Sequence, residues 1–503
     1  VRYDPPRVSQ HAAIKPPDPG PEPRERVGST PKIAAGDLAV HPAISQSPGA
    51  QAVRRWALPV VAALSVVGSG LLAAVSDGNI GAALAPPLLV IALWAIVRAP
   101  MRYTLGVMFW VVILFHNPSS RPHEGRWSGI LKMPSALIFK NLHELVGVDA
   151  LRFNGIEAML FLILLVLLIR KVTGDPVDGP PPPMAAPINS ALKISLVAIL
   201  AWCVYGVARG GDSRQMLWQV REIVWLPVIG MLFARYLSGP KARRFFVFSA
   251  LIMATLRALE GIWFWYTVAI PMNYYKMEYI TTHEDSVLYG GLLVLFATSF
   301  WELEKRPRSK LLYLALLIIT YGMILNTRRL AYVSITLSML MVFTTLRAPV
   351  KRTIIKVALV LAPVLTLYVV GAQFSKSAIF RPIQSLTSVT DESNSSNKSR
   401  DDENMNLVWT MKPNPLFGSG FGHPYNEVIR SFDISGAMSN YRYLAHNSVL
   451  WLWSLMGLVG ISLTWMYLPI LVLLARRAYA SARNGEERVA ALSGITMVIM
   501  YVV

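Results

Sequence analysis

Apolar runs of helix length, separated by short charged connections, decide what this chain can become. Thirteen of them lie near residues 56–75, 80–97, 105–115, 156–169, 192–207, 218–237, 245–270, 287–300, 311–325, 331–343, 354–370, 448–474 and 489–503. A hydrocarbon core of about 30 Å is crossed by about 20 helical residues, and a helix satisfies its own backbone polar groups where no water can. The pattern predicts an all-α, polytopic transmembrane helical bundle of about 12–13 spans. The divisions that follow are a disordered, Pro-rich cytoplasmic tail at 1–52, membrane helices at 53–372, one large outer loop at 373–445 and C-terminal membrane helices at 446–503.

Orientation follows from the basic residues of the short loops, which resist translocation. Arg54 and Arg55 place the N-terminus inside, and every second connection agrees: Arg98 with Arg102, Arg170 with Lys171, Arg235 with Lys241, and Arg347 with Lys351. A net charge of +19 is therefore largely the inner loops of a membrane protein and not a nucleic-acid face. The single cysteine, Cys203, excludes an internal disulfide and a clustered zinc motif. No cofactor and no metal are expected. The first apolar run reads as an uncleaved anchor, and Val1 in place of Met suggests a chain cut from a longer one.

Against that orientation, Arg209, Arg214, Arg221, Arg328, Arg329 and Arg400 fall on the outer side. A guanidinium is permanently charged and its donor fork matches phosphate oxygens, so several around one cavity would hold a diphosphate at the membrane surface. Snorkelling to headgroup phosphates is the alternative for any one of them. His446 closes the outer loop and is followed by Asn447; a neutral imidazole there can take a proton from a sugar hydroxyl, or simply bond a neighbouring carbonyl. Gly457 and Gly460 read as close-packing positions of a membrane helix, and Gly418, Gly420 and Gly422 as a tight turn that could also present amides to a substrate. Arg257 and Glu260, one helical turn apart, can pair inside a span. His283, Glu284 and Asp285 read as a solvated loop in which a carboxylate could orient a base. A short helix is expected around 406–411, and an amphipathic surface helix within 116–149.

The run His446-Asn447, nine residues, Gly457, two residues, Gly460 resembles the signature of the O-antigen ligase family of bacterial envelope proteins, as do Trp409 followed by Pro415-Leu416-Phe417-Gly418-Ser419-Gly420 and the turn Thr327-Arg328-Arg329. Leu455 and Met456 stand where many members carry an acidic residue. The resemblance implies a GT-C-like glycosyltransferase of the bacterial inner membrane with a periplasmic site. It would take a glycan from an undecaprenyl-diphosphate-linked donor to a hydroxyl of lipid A-core or another glycan acceptor, without a metal. It further implies His446 as the base, Arg221, Arg328, Arg329 and Arg400 as donor-diphosphate ligands, and Asn447, Gly418, Gly420, Gly422 and Asp285 in support. A repeat-unit polymerase is the near alternative and a lipid-glycan transporter the distant one; a transporter tends to show paired repeats, which the sequence lacks.

Overall fold

The structure is a computed structural model that describes residues 48–75, 80–115, 135, 138–146, 153–173, 186–272, 280–304, 309–326, 328–375, 380, 383–384, 395–430 and 440–502. The tail expected at 1–52 and the surface helix expected within 116–149 lie mostly outside these residues. The chain divides at Ser65 into two units. The first contributes the opening of helix α1 (Pro48–Val75), and everything below concerns the second, Val66–Val503.

Among the described residues the second unit is helical, with a lone bridge between Asn141 and Asn154 as its only extended pairing. In chain order the helices are α2 (Ile80–Arg98), α3 (Met101–Leu114), α4 (Leu142–Val146), α5 (Gly155–Thr173), α6 (Ala186–Ala208), α7 (Ser213–Tyr236) and α8 (Pro240–Phe264). They continue as α9 (His283–Glu302), α10 (Lys310–Leu325), α11 (Arg329–Thr345), α12 (Ala348–Phe374), α13 (Ser395–Met411), α14 (Ser448–Trp465), α15 (Tyr467–Ser481) and α16 (Gly485–Val502). Each expected apolar run falls on one of these helices. The last-but-one run is two of them, α14 and α15, which together with Ala186–Ala208, Pro240–Ala269 and Ala348–Phe374 make four stretches among the described residues long and apolar enough to cross a bilayer by length and composition alone, or five with the bent α7. Met101–Leu114, Lys310–Leu325 and Arg329–Thr345 are shorter apolar helices. The protein is a multi-pass helical membrane bundle.

Two cores organise it. Helices α6, α7 and α14 enclose Ile199, Cys203, Leu452, Leu455 and Met456, and the loop residues Phe421 and Tyr425 are driven into the same core. Helices α8, α9, α10 and α11 enclose Ala254, Ala258, Tyr289, Leu292 and Ile319. Local chemistry sets where the helices begin. Asp212 caps α7 by accepting from the amides of Arg214 and Gln215, Thr282 and Asp285 form a capping box at the start of α9, and Asn447 caps α14 by accepting from the amide of Leu450. At the far end of α9 the buried carboxylate of Glu302 accepts from Tyr479 Oη at 2.6 Å, Arg488 Nε at 2.7 Å and Arg347 at 2.9 Å, tying four helices through one charge.

Candidate functional site

Helix α13 begins eleven residues before the 406 at which a helix was expected, and the extra turns carry the chemistry. Residues 400, 403, 404 and 407 share one face by helical spacing. Leu407 is buried at its core end, and Glu403 turns toward His446. The Glu403 carboxylate lies 3.1 Å from His446 Nδ1 and accepts the His446 backbone amide at 3.0 Å, so it fixes both the imidazole and the peptide that carries it. One residue on, Asn447 donates from Nδ2 to Asn404 Oδ1 at 3.0 Å. The pair Glu403-Asn404 thus holds the pair His446-Asn447 in register. Asn406, fully buried on the same helix, accepts from the amides of Val428 and Ile429 and donates to the Ile429 carbonyl, pinning the returning loop.

The imidazole is 69% exposed in its side chain while its carboxylate partner is 11% exposed. Nδ1 faces the carboxylate and Nε2 is left toward the outside. The hydrogen bond to Glu403 raises the His446 pKa above its ordinary value; burial and the nearby charge of Arg400 pull the other way. Arg400 and His446 are therefore neighbours, with Arg400 itself exposed.

The glycine-rich turn has a different purpose from presenting amides. Gly457 interrupts α14 with φ +64° and ψ −179°, which breaks the helical bonds that Ser454 and Leu455 carbonyls would otherwise make to the amides at 458 and 459. Four backbone groups would be left unpaired in an apolar setting, each costing several kcal/mol. The turn fills the break. Ser419 and Gly420 amides donate to the Ser454 and Leu455 carbonyls at 3.0 and 2.7 Å, and the Leu458 and Val459 amides donate to the Pro415 and Leu416 carbonyls at 2.9 and 3.0 Å. A Cβ at Gly457 would lie 2.2 Å from the Leu416 carbonyl carbon, so the packing role expected for this glycine is corrected: it is needed for a left-handed backbone and for main chain against main chain. Gly460 keeps the packing role, against Trp202.

The remaining amides of the turn are also committed. Gly418 donates to the Asn414 carbonyl, and Gly422 donates to Gln219 Oε1 at 2.5 Å. Gln219, 1% exposed on α7, also donates from Nε2 to the His423 and Tyr443 carbonyls at 3.0 Å each. One amide side chain therefore holds both the turn and the segment that leads to His446.

The other expected arginines stand in two further groups. Arg221 is bonded to the Glu157 carboxylate through Nε and Nη2 and to Asn141 Oδ1 at 2.8 Å, so its fork already has a matched partner. Arg328 and Arg329 open α11, half-buried. The turn that carries them is anchored by the fully buried Asn326, which accepts from the Ile280 and Thr281 amides and donates to the Thr282 carbonyl and Ser286 Oγ. Asp285 sits in that same turn region. Far from being a solvated loop residue, it is 5% exposed and bonds Arg257 at 2.7 Å, while Arg257 also pairs with Glu260 at 2.5 Å as expected. Burial of the guanidinium drew the carboxylate in, because a charge removed from water needs an opposite one.

Glu403, Asn404 and Gln219 were not singled out from the sequence. The signal for the first was available: Arg400, Glu403 and Leu407 repeat at helical spacing, which becomes visible once the helix is extended back through the polar run. Nothing in the sequence marks Gln219. Among the described residues no three His, Cys, Asp or Glu side chains gather where a metal ion could be held.

A family model described as O-Antigen ligase matches residues 314–465, a stretch that contains Arg328, Arg329, Arg400, Glu403, the glycine turn, His446 and Gly457, and excludes Arg221 and Asp285. No curated protein and no solved structure matches the chain.

Proposed function

Because this chain carries an O-antigen ligase domain at residues 314–465, we propose that it transfers a glycan from an undecaprenyl-diphosphate-linked donor to an acceptor hydroxyl at the periplasmic face of the bacterial inner membrane. The observation that carries the reading is the Glu403–His446 couple at the end of the loop. Glu403 holds Nδ1, which leaves Nε2 to accept the proton of the acceptor hydroxyl. The hydroxyl oxygen attacks the anomeric carbon, the bond from that carbon to the diphosphate oxygen breaks, and the lipid diphosphate leaves with the electron pair. Direct displacement inverts the anomeric centre.

Charge accumulates on the leaving diphosphate, where guanidinium groups stabilise it without a divalent cation. Arg400 is assigned first because it neighbours the imidazole, and Arg328 and Arg329 at the start of α11 are assigned second, as cations within the matched stretch. Arg221 has its charge matched by Glu157, so it joins the diphosphate only by exchanging that partner. Asn447 and the glycine turn act through position: they fix the first half of α14, which His446 immediately precedes.

Purified protein in detergent, given lipid-linked glycan and an acceptor, is expected to form a new glycosidic bond, equally well with a chelator present. His446→Ala is expected to remove that product, and undiminished product would exclude the imidazole as base. Product mass separates the acceptors: glycan joined to lipid A-core means ligase, and a longer glycan still on its lipid means polymerase. Failure to form any product, with movement of donor across vesicles instead, would favour a transporter.

A further inference from the structure

A groove of about 840 Å³ lies between α3, the end of α7 and the start of α8. Its mouth carries Arg102, Arg235 and Lys241, and no Asp or Glu lines it among the described residues. Its stem is Tyr103, Val107, Trp110 and Phe245. The stem is built: Trp110 stacks on Phe245 with ring centroids 6.4 Å apart and donates from Nε1 to Ser249 at 2.7 Å, while the Phe245 ring packs directly on Gly106. Tyr103 and Val107 are 59% and 58% exposed, an apolar wall left uncovered by the described residues. At the mouth, Arg102 lies over the Tyr103 ring at 4.9 Å and Arg235 over the Tyr236 ring at 5.8 Å, so aromatic faces hold the cations at the rim.

This groove is not part of the His446 site. Asp212, which caps the start of α7, donates its backbone amide to the Gly422 carbonyl beside that site, and Arg235 lies at the other end of the same 24-residue helix. Arg102, Arg235 and Lys241 belong to connections that the distribution of basic residues assigns to the cytoplasmic side, where anionic lipids are concentrated. We propose that the groove binds one anionic diacyl phospholipid of the inner leaflet, its headgroup phosphate among Arg102, Arg235 and Lys241 and an acyl chain along Tyr103, Val107, Trp110 and Phe245. Charge complementarity selects the occupant. Three cations with no Asp or Glu beside them among the described residues favour a net negative headgroup over a zwitterionic one, and a stem with exposed Tyr103 and Val107 suits an acyl chain.

Native mass spectrometry of the full chain, released from detergent with phosphatidylglycerol, phosphatidylcholine of the same chains, or undecaprenyl phosphate, tests this directly. One phosphatidylglycerol is expected to be retained in preference to phosphatidylcholine, and Arg102→Gln, Arg235→Gln and Lys241→Gln are each expected to weaken it about fivefold. Val107→Trp, which keeps every charge, is expected to weaken it by blocking the stem. Equal retention of phosphatidylcholine, variants that bind as the parent does, or undecaprenyl phosphate displacing phosphatidylglycerol would each overturn the proposal. Should the charge variants fail to fold, brominated phosphatidylglycerol is added to the parent chain. Quenching that is present there and absent in Trp110→Phe supports the site, and no such difference overturns it.

Discussion

Arg257 and His446 each face a carboxylate, yet the first side chain is 1% exposed and the second 69%. Around Arg257 the negative charges of Asp285 and Glu260 match the guanidinium inside the bundle, and removing either side would strand a charge. Around His446 only the carboxylate is buried, and it leaves one ring nitrogen facing outward. A buried pair of this sort holds helices together; a half-buried couple with an open end can move a proton. The same contrast separates Arg221, matched by Glu157, from exposed Arg400.

The largest effects should split along that line. His446→Ala is expected to lower transfer by about 10²–10⁴-fold, the usual range for a general base, with a far smaller loss of melting temperature than in Arg257→Ala. Arg257→Ala is expected to cost about 3–5 kcal/mol of stability by leaving Asp285 buried and unmatched, read as lost folded protein in size-exclusion and thermal melts. A stable Arg257→Ala beside an unfolded His446→Ala would reverse the comparison.

Gly457→Ala should come next. Backbone at φ +64°, ψ −179° is open essentially to glycine alone and costs an alanine about 1–3 kcal/mol, and its methyl would press on the Leu416 carbonyl, so the turn leaves the helix break. Hydrogen exchange is expected to rise at the Ser419 and Gly420 amides and the Leu458 and Val459 amides together; faster exchange in only one of the two segments would mean that they do not pair as described.

Smaller still is Arg400→Gln. It is expected to raise the KM for the lipid-linked donor about tenfold, since a charge-assisted contact is lost. It also removes a charge that opposes His446 protonation, so the acidic limb of the rate profile is expected to move to higher pH. The effect on stability runs through the same histidine. Its folded pKa lies above the unfolded value of about 6.5, so the stabilisation it provides is fully present below that pH and is lost as pH rises through the folded value.

Much of this was legible in the sequence, and the gaps have physical causes. Apolar runs located the helices because the bilayer demands them, and His446 with Arg400 could be named because rim position and charge are one-dimensional signals. The seam was not legible: Gly457 looks like any small residue of a membrane helix until the carbonyls it frees are seen to meet Pro415 to Gly420. Arginine count on the outer side did not distinguish Arg221 from Arg400, because the carboxylate that matches it, Glu157, comes from another helix. Glu403 was hidden for a related reason. It lies in an acidic run that reads as solvated, and only folding brings it under a histidine 43 residues away.

The central claim is that the His446–Glu403 couple is the base, and the pH dependence of transfer in Glu403→Gln tests it most directly. Neutral imidazole is the active form, and Glu403 raises its pKa. The account predicts that the acidic limb moves to lower pH in Glu403→Gln while the protein stays folded. A limb at the same pH in both proteins would contradict it.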